Sequence, residues 1–190
     1  MCEEMKTLVS RLAEYLRRSE QQLRCFHKYE SQVEGWFKGE LLCFLDREKR
    51  AGRLHDFSRE RQVYIDERYI LVDISLQFDV RVSWVELKHW IGRQNNQQFT
   101  PSQYFTIPRE RSDSCAYCVE RLLKIPEDGD KFMLVLFTDN PSSNVWNSGV
   151  EAFNNKFSPL SVRSLTNPSD YPDFFFLGLL HVPEEDVANE

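Results

Sequence analysis

Val82-Ser83-Trp84-Val85-Glu86-Leu87-Lys88-His89-Trp90 comes shortly after Tyr69-Ile70-Leu71-Val72-Asp73-Ile74-Ser75-Leu76, and the two stretches read as successive strands of one sheet. Alternate side chains of a strand point to opposite faces, so Glu86 and Lys88 share one face while Val85 and Leu87 share the other. Asp73 interrupts an otherwise apolar run. A carboxylate in that setting is costly unless it is paired, metal-bound or at the end of the buried stretch. The two strands can therefore bring two carboxylates and one ammonium to a single polar point.

Upstream, Met5, Leu8, Val9, Leu12, Leu16, Leu23 and Phe26 recur at helical intervals without Gly or Pro, which predicts an amphipathic helix over residues 1–32. Its apolar stripe needs cover, either from the domain's own core or from the same helix of a second copy in a homodimer. Trp36, Phe37, Leu41, Leu42, Phe44 and Leu45 predict a second helix ending near Gly52, with Glu40 inside this apolar region and basic residues in its last turns. Gln62-Val63-Tyr64-Ile65 predicts a strand, and Asp66-Glu67-Arg68 a hairpin turn. Gly92 to Pro108 reads as a polar, irregular loop.

Ser112-Asp113-Ser114 offers N-caps for a helix carrying Cys118, Val119, Leu122 and Leu123, which stops before Pro126. Lys131 to Thr138 predicts a strand buried on both faces, followed by a helix around Val150 to Phe157 and a last strand from Phe174 to Val182. The fold class is α/β, one domain with a mixed central sheet flanked by helices. Its parts are the N-terminal helix over 1–32, a core over 33–138, and a helix, strand and acidic tail over 139–190.

At 190 residues with 41% hydrophobic content, the chain can bury a substantial core. No apolar run approaches the roughly 20 residues needed to span a bilayer, and the start lacks a secretory signal. A cytoplasmic protein with no membrane partner is expected. The five cysteines form no paired framework and fit reduced thiols; Cys115 and Cys118, the one CxxC, read as packing residues of a helix. The net charge of −6 argues against a generally basic, nucleic-acid-coating surface. Asp170, Asp173, Glu184, Glu185, Asp186 and Glu190 carry that whole excess, while Arg81, Lys88, Arg93, Arg109 and Arg111 leave a basic rim near the two strands. Phosphate-loop, nucleophile-elbow, dinucleotide-turn and His-Glu-x-x-His motifs are absent from the sequence.

Helix, three strands, helix, strand, with Glu40 on the first helix, Asp73 on the second strand and Glu86-Leu87-Lys88 on the third, resembles the PD-(D/E)xK, or restriction-endonuclease-like, nuclease superfamily. The resemblance covers roughly Gly35 to Thr138; Val72 stands where the family's proline would precede Asp73, and no Gln-x-x-x-Tyr pattern follows the third strand. It implies an αβββαβ core and a magnesium-dependent nuclease acting on DNA, with manganese as a substitute ion and RNA left open as substrate. Asp73, Glu86 and the Leu87 carbonyl would be metal ligands, Glu40 an auxiliary acid, Lys88 the group that positions the attacking water, and Arg93 and Gln94 nucleic-acid contacts. Glu34 is the alternative to Glu40. The physical chemistry is consistent, since magnesium prefers hard oxygen ligands and a nearby ammonium stabilises developing negative charge. The rival readings are a catalytically silent nuclease-like module that binds a protein or nucleic acid, and an interaction protein in which Asp73 and Lys88 form a structural pair.

Overall fold

The computed structural model describes residues 2–65, 68–90, 93–94, 97–98, 100–111 and 114–183. Helices α1 (Cys2–Leu16), α2 (Glu20–Lys28) and α3 (Glu34–Arg50) precede a meander of β1 (Asp56–Ile65), β2 (Arg68–Phe78) and β3 (Arg81–Trp90). A two-residue hairpin, β4 (Arg93–Gln94) and β5 (Gln97–Gln98), leads into α4 (Pro101–Phe105) and α5 (Cys115–Leu123). Strand β6 (Asp130–Phe137), helix α6 (Ser143–Phe157), and strands β7 (Arg163–Ser164) and β8 (Phe176–Val182) follow. Six strands form one sheet in the order β1-β2-β3-β6-β8-β7, mostly antiparallel. Among the described strands only β3 and β6 run parallel, and the chain between them makes the crossover that a parallel pair requires.

The sheet has a hydrophobic core on each face. On one, Met5, Leu8, Leu12 and Leu16 of α1 and Phe37, Leu41 and Leu45 of α3 pack with Ile74, Val85, Leu87 and Leu134. On the other, Phe105 of α4, Cys118 and Leu122 of α5, and Trp146 and Phe153 of α6 pack with Val72, Trp84, Val135 and Phe176. Strand β6 separates the two cores and is buried along nearly its whole length, as its continuous apolar run predicts.

The N-terminal segment is two helices rather than one. Arg17–Ser19 forms a 3-10 turn between them, at the point where six consecutive polar residues, Arg17 to Gln22, interrupt the apolar stripe. That stripe is buried on the chain's own sheet and on α3, so the exposed apolar face that motivated a homodimer contact is already covered. Strand β1 begins six residues before the predicted Gln62. Of its ten residues only Val63 is buried, so the exposed first half offered no alternation to read. The predicted loop from Gly92 to Pro108 contains α4, opened by a capping box between Thr100 and Gln103 with Pro101 in the first turn. Ser142 caps α6, which is a full two turns longer than Val150–Phe157. Among the described residues, no helix is long and apolar enough to cross a membrane.

Gly178 of β8 lies beneath the Trp146 indole, where an added Cβ would meet the ring's Cη2 at 2.5 Å. The indole also packs edge-on against Phe105, Phe137 and Phe176 and has no room to withdraw. Gly178→Ala is therefore expected to destabilise the fold by about 1–3 kcal/mol through overpacking. Urea unfolding should show a lower midpoint with an unchanged slope; an unaltered midpoint would mean that α6 lifts from the sheet freely.

Candidate active site

The centre of the site is a fault in the sheet at Asp73. Strands β1 and β2 pair residue for residue on either side of Glu60 and Asp73, but that pair is missing from the ladder, and Glu60 adopts a φ of +50°. Pairing between β2 and β3 stops at Ile74 and Val85, one residue short of Asp73. Val72 and Ile74, which alternation would place on one face, enter opposite cores, so β2 turns over at Asp73. The freed Leu87 N–H donates to Asp73 Oδ2 at 3.0 Å in place of a strand partner. Lys38 Nζ on α3 donates to Asp73 Oδ1 at 2.9 Å and to Glu60 at 3.1 Å. Burial opposes ionisation of Asp73, but Lys38 and the Leu87 amide outweigh it and hold the carboxyl below its usual pKa.

Glu86 sits beside Asp73 with its side chain almost fully buried. Burial, helped by the Asp73 charge, pushes Glu86 up to about 8, despite Arg121 of α5 at 3.3 Å from Oε1. At neutral pH Glu86 is therefore the protonated member of the pair, and Asp73 the ionised one. Its Oε1 is buried without a hydrogen bond, since the Arg121 approach lacks the geometry for one. Arg121 is held in place by the Leu71 carbonyl and by the Tyr117 ring, 5.6 Å away.

Lys88 projects onto the α5 side of β3. Burial, the largest influence, works against its charge, but its pKa lies above the ordinary value, because Cys118, which acts as an anion only once its own thiol has ionised, and Glu34 favour the ammonium. Burial also raises the Cys118 thiol, to about 11, so Cys118 faces Lys88 as a neutral thiol at neutral pH. His89, on the opposite face of β3, accepts from the Val33 N–H at 3.4 Å and is depressed to about 4 by burial, which fastens the start of α3 to the strand.

The structure brings together Asp73, Glu86, Leu87 and Lys88. It does not bring Glu40. The expected placement of that acid is corrected: Glu40 turns toward the N-terminal helices, where Arg18 Nη2 lies 3.1 Å away. Glu34, in the first turn of α3, is the helix acid whose charge reaches Lys88. A pair between Asp73 and Lys88 is not formed either, since the cation on Asp73 is Lys38. Trp84 and Trp90 are core residues. Arg93 and Gln94 form β4, and their side chains lie outside the described residues. Sequence reasoning missed Lys38, Glu60 and Arg121. Lys38 stands four residues after Glu34, and Arg121 interrupts the apolar face of α5 three residues after Cys118, so both left a helical-spacing signal. Glu60, in an exposed strand, left none.

Comparison of the chain with protein-family models, with curated proteins and with solved structures finds no match. The reading of the site therefore rests on its geometry.

The raised pKa of Glu86 has a definite sign in stability. Between about 4.5 and about 8, the folded state keeps this proton while the unfolded chain has released it. Its contribution is complete at low pH and is lost as pH rises through the folded value. Glu86→Gln, which is neutral in both states, should gain stability relative to wild type across that window. Paired urea melts at several pH values measure this difference, in which unchanged groups cancel; a pH-independent difference would show that Glu86 is ionised in the fold.

Proposed function

We propose that this chain is a magnesium-dependent nuclease that hydrolyses phosphodiester bonds in DNA. The observation that carries the reading is the convergence of Asp73 with Glu86 and Leu87 where the β2–β3 ladder ends, Asp73 being bonded by the Leu87 N–H. The succession α3-β1-β2-β3-α5-β6, with β3 parallel to β6, supports it as well, being the element order of the restriction-endonuclease-like core.

The residues present fit a hard divalent cation. Two carboxylates and the Leu87 carbonyl make an all-oxygen donor set, and the buried Glu86 Oε1 has no hydrogen bond. Bound magnesium would supply Lewis-acid stabilisation of charge on the phosphoryl oxygens. Asp73 and Glu86 would hold it, and Glu86 would release its proton to do so. Lys88 keeps its charge in a half-buried position, where an ammonium can orient a water and stabilise developing negative charge more strongly than in bulk solvent. Glu34 takes the supporting role expected of Glu40. Without a metal, Lys38 balances the Asp73 charge and Arg121 lies beside the protonated Glu86; Lys38 would have to leave Asp73 for a metal to be held there. Arg93 and Gln94 remain the proposed contacts to the nucleic acid.

The same two cations favour a second reading, a catalytically silent module of this fold that binds a protein or nucleic acid. With Lys38 and Arg121 in place, each carboxyl group already has a basic neighbour and can be stable without a metal. Calorimetric titration with manganese and a DNA cleavage assay with magnesium separate the two. In the nuclease reading, wild type binds manganese more tightly as pH rises toward 8 and cleaves DNA. Lys88→Ala should keep metal binding and lose cleavage by roughly a hundredfold or more. A wild-type protein with neither manganese binding nor cleavage would overturn the nuclease reading in favour of the silent module.

A further inference from the structure

A second constellation lies at the other end of the sheet, where Cys2, Asp130 and His181 converge. Asp130 opens β6, and His181 lies on the neighbouring β8, opposite Phe132 in the register. Strand alternation therefore puts both side chains on the face covered by α1, whose first residue is Cys2. One donor atom from each of the three lies within 4.8 Å of the other two. His181 Nε2 and Asp130 Oδ1 are 3.6 Å apart, too far for a hydrogen bond. That separation is close to the edge of a tetrahedron whose bonds are about 2.0–2.3 Å long, the values of zinc with nitrogen, oxygen and sulfur.

We propose that Cys2, Asp130 and His181 form a zinc site with three protein ligands. A thiolate and an imidazole with one carboxylate select zinc over magnesium, because magnesium takes hard oxygen donors while zinc accepts sulfur and nitrogen. The His181 ring is backed by the Phe132 ring at 5.4 Å, which limits its reorientation. Arg163 Nη2 stands 4.0 Å from the Cys2 sulfur. Arg163 is exposed, so it can turn into solvent when the ion enters. Binding then exchanges the Cys2 S–H proton, released to solvent, for a sulfur–metal bond.

Three protein ligands leave a fourth tetrahedral position for water or a small ligand, the arrangement of open zinc sites. Asp130 and His181 also line a cavity of about 540 Å³ that includes Arg81, Lys131 and Gly129, so two of the three ligands border space large enough for such a molecule. A Cβ at Gly129 would lie 2.5 Å from the Val82 carbonyl oxygen, so glycine is the residue that permits this close turn just before Asp130.

The test uses the full chain, reduced and freed of metal, titrated with cobalt as a spectroscopic stand-in and then with zinc. The expected result is one cobalt ion per chain with a sulfur-to-cobalt charge-transfer band and tetrahedral visible absorption, both abolished when zinc displaces the cobalt. Cys2→Ser should remove the charge-transfer band, and His181→Gln should weaken binding roughly tenfold or more. Circular dichroism melts of both variants verify that they are folded. The Asp73→Asn/Glu86→Gln double variant should keep the signal, which makes this result independent of the magnesium reading. A charge-transfer band that persists in Cys2→Ser would place the metal on other thiols and overturn the proposal, as would the absence of any band in the wild type.

Discussion

Asp73 is tied to three elements at once: it belongs to β2, accepts from Leu87 on β3, and receives Lys38 from α3. The tie exists because the sheet ladder gives way there, with Glu60 in the left-handed region and the β2–β3 pairing ended at Ile74. A left-handed non-glycine residue costs on the order of 1 kcal/mol and persists only where surrounding contacts over-determine it. Here those contacts are the Lys38 bridge to Glu60 itself and the Asp73 bonds beside it. Without the fault, β2 would continue its alternation and bury its apolar residues on one face. With it, Ile70 and Val72 serve the core under α5, while Ile74 and Leu76 serve the core under α1 and α3.

The charges around that point follow from burial. Two carboxyl groups side by side inside a protein cannot both ionise cheaply, so one keeps its proton. Asp73, with an ammonium and a backbone amide pointing at it, is the one that ionises, and Glu86, deeper and against an arginine without hydrogen-bond geometry, is the one that does not. This arrangement needs no metal to be stable, because one carboxyl group is neutral through its proton and the other is paired with Lys38.

The face under α1 handles a buried carboxylate in the opposite way. Glu48, nearly fully buried on α3, accepts from Arg53 at 2.6 and 2.8 Å and from Arg11 of α1 at 2.8 Å. Charge-assisted, two-pronged bonds of this kind hold a carboxylate ionised, and its pKa lies below the ordinary value. Through Arg11, the contact fixes α1 against α3 in addition to the apolar stripe. Fixing α1 also sets the position of Cys2 above β6 and β8.

The sequence by itself determined the α/β class, the strand triplet around Asp73 and Glu86, the doubly buried β6 and the apolar stripe of the N-terminal segment, because each is written as a local period in burial. It also determined that Glu86 and Lys88 share a face, a consequence of strand geometry alone. Only the tertiary structure decided that Lys38 rather than Lys88 pairs with Asp73, that Glu34 rather than Glu40 reaches Lys88, and that Arg121 lies beside Glu86. Those choices depend on how α3 and α5 are rotated about their own axes when they dock. On a helix, four residues change the facing direction by only about 40°, so Glu34 and Lys38 share a side. Glu40, six positions after Glu34, turns about 120° away from it. No local pattern distinguishes such rotations, which are set by how Phe37, Leu41 and Leu45 seat in the core. The convergence of Cys2, Asp130 and His181 was likewise invisible, since it joins residues far apart in the chain through the register of β6 with β8 and the docking of α1.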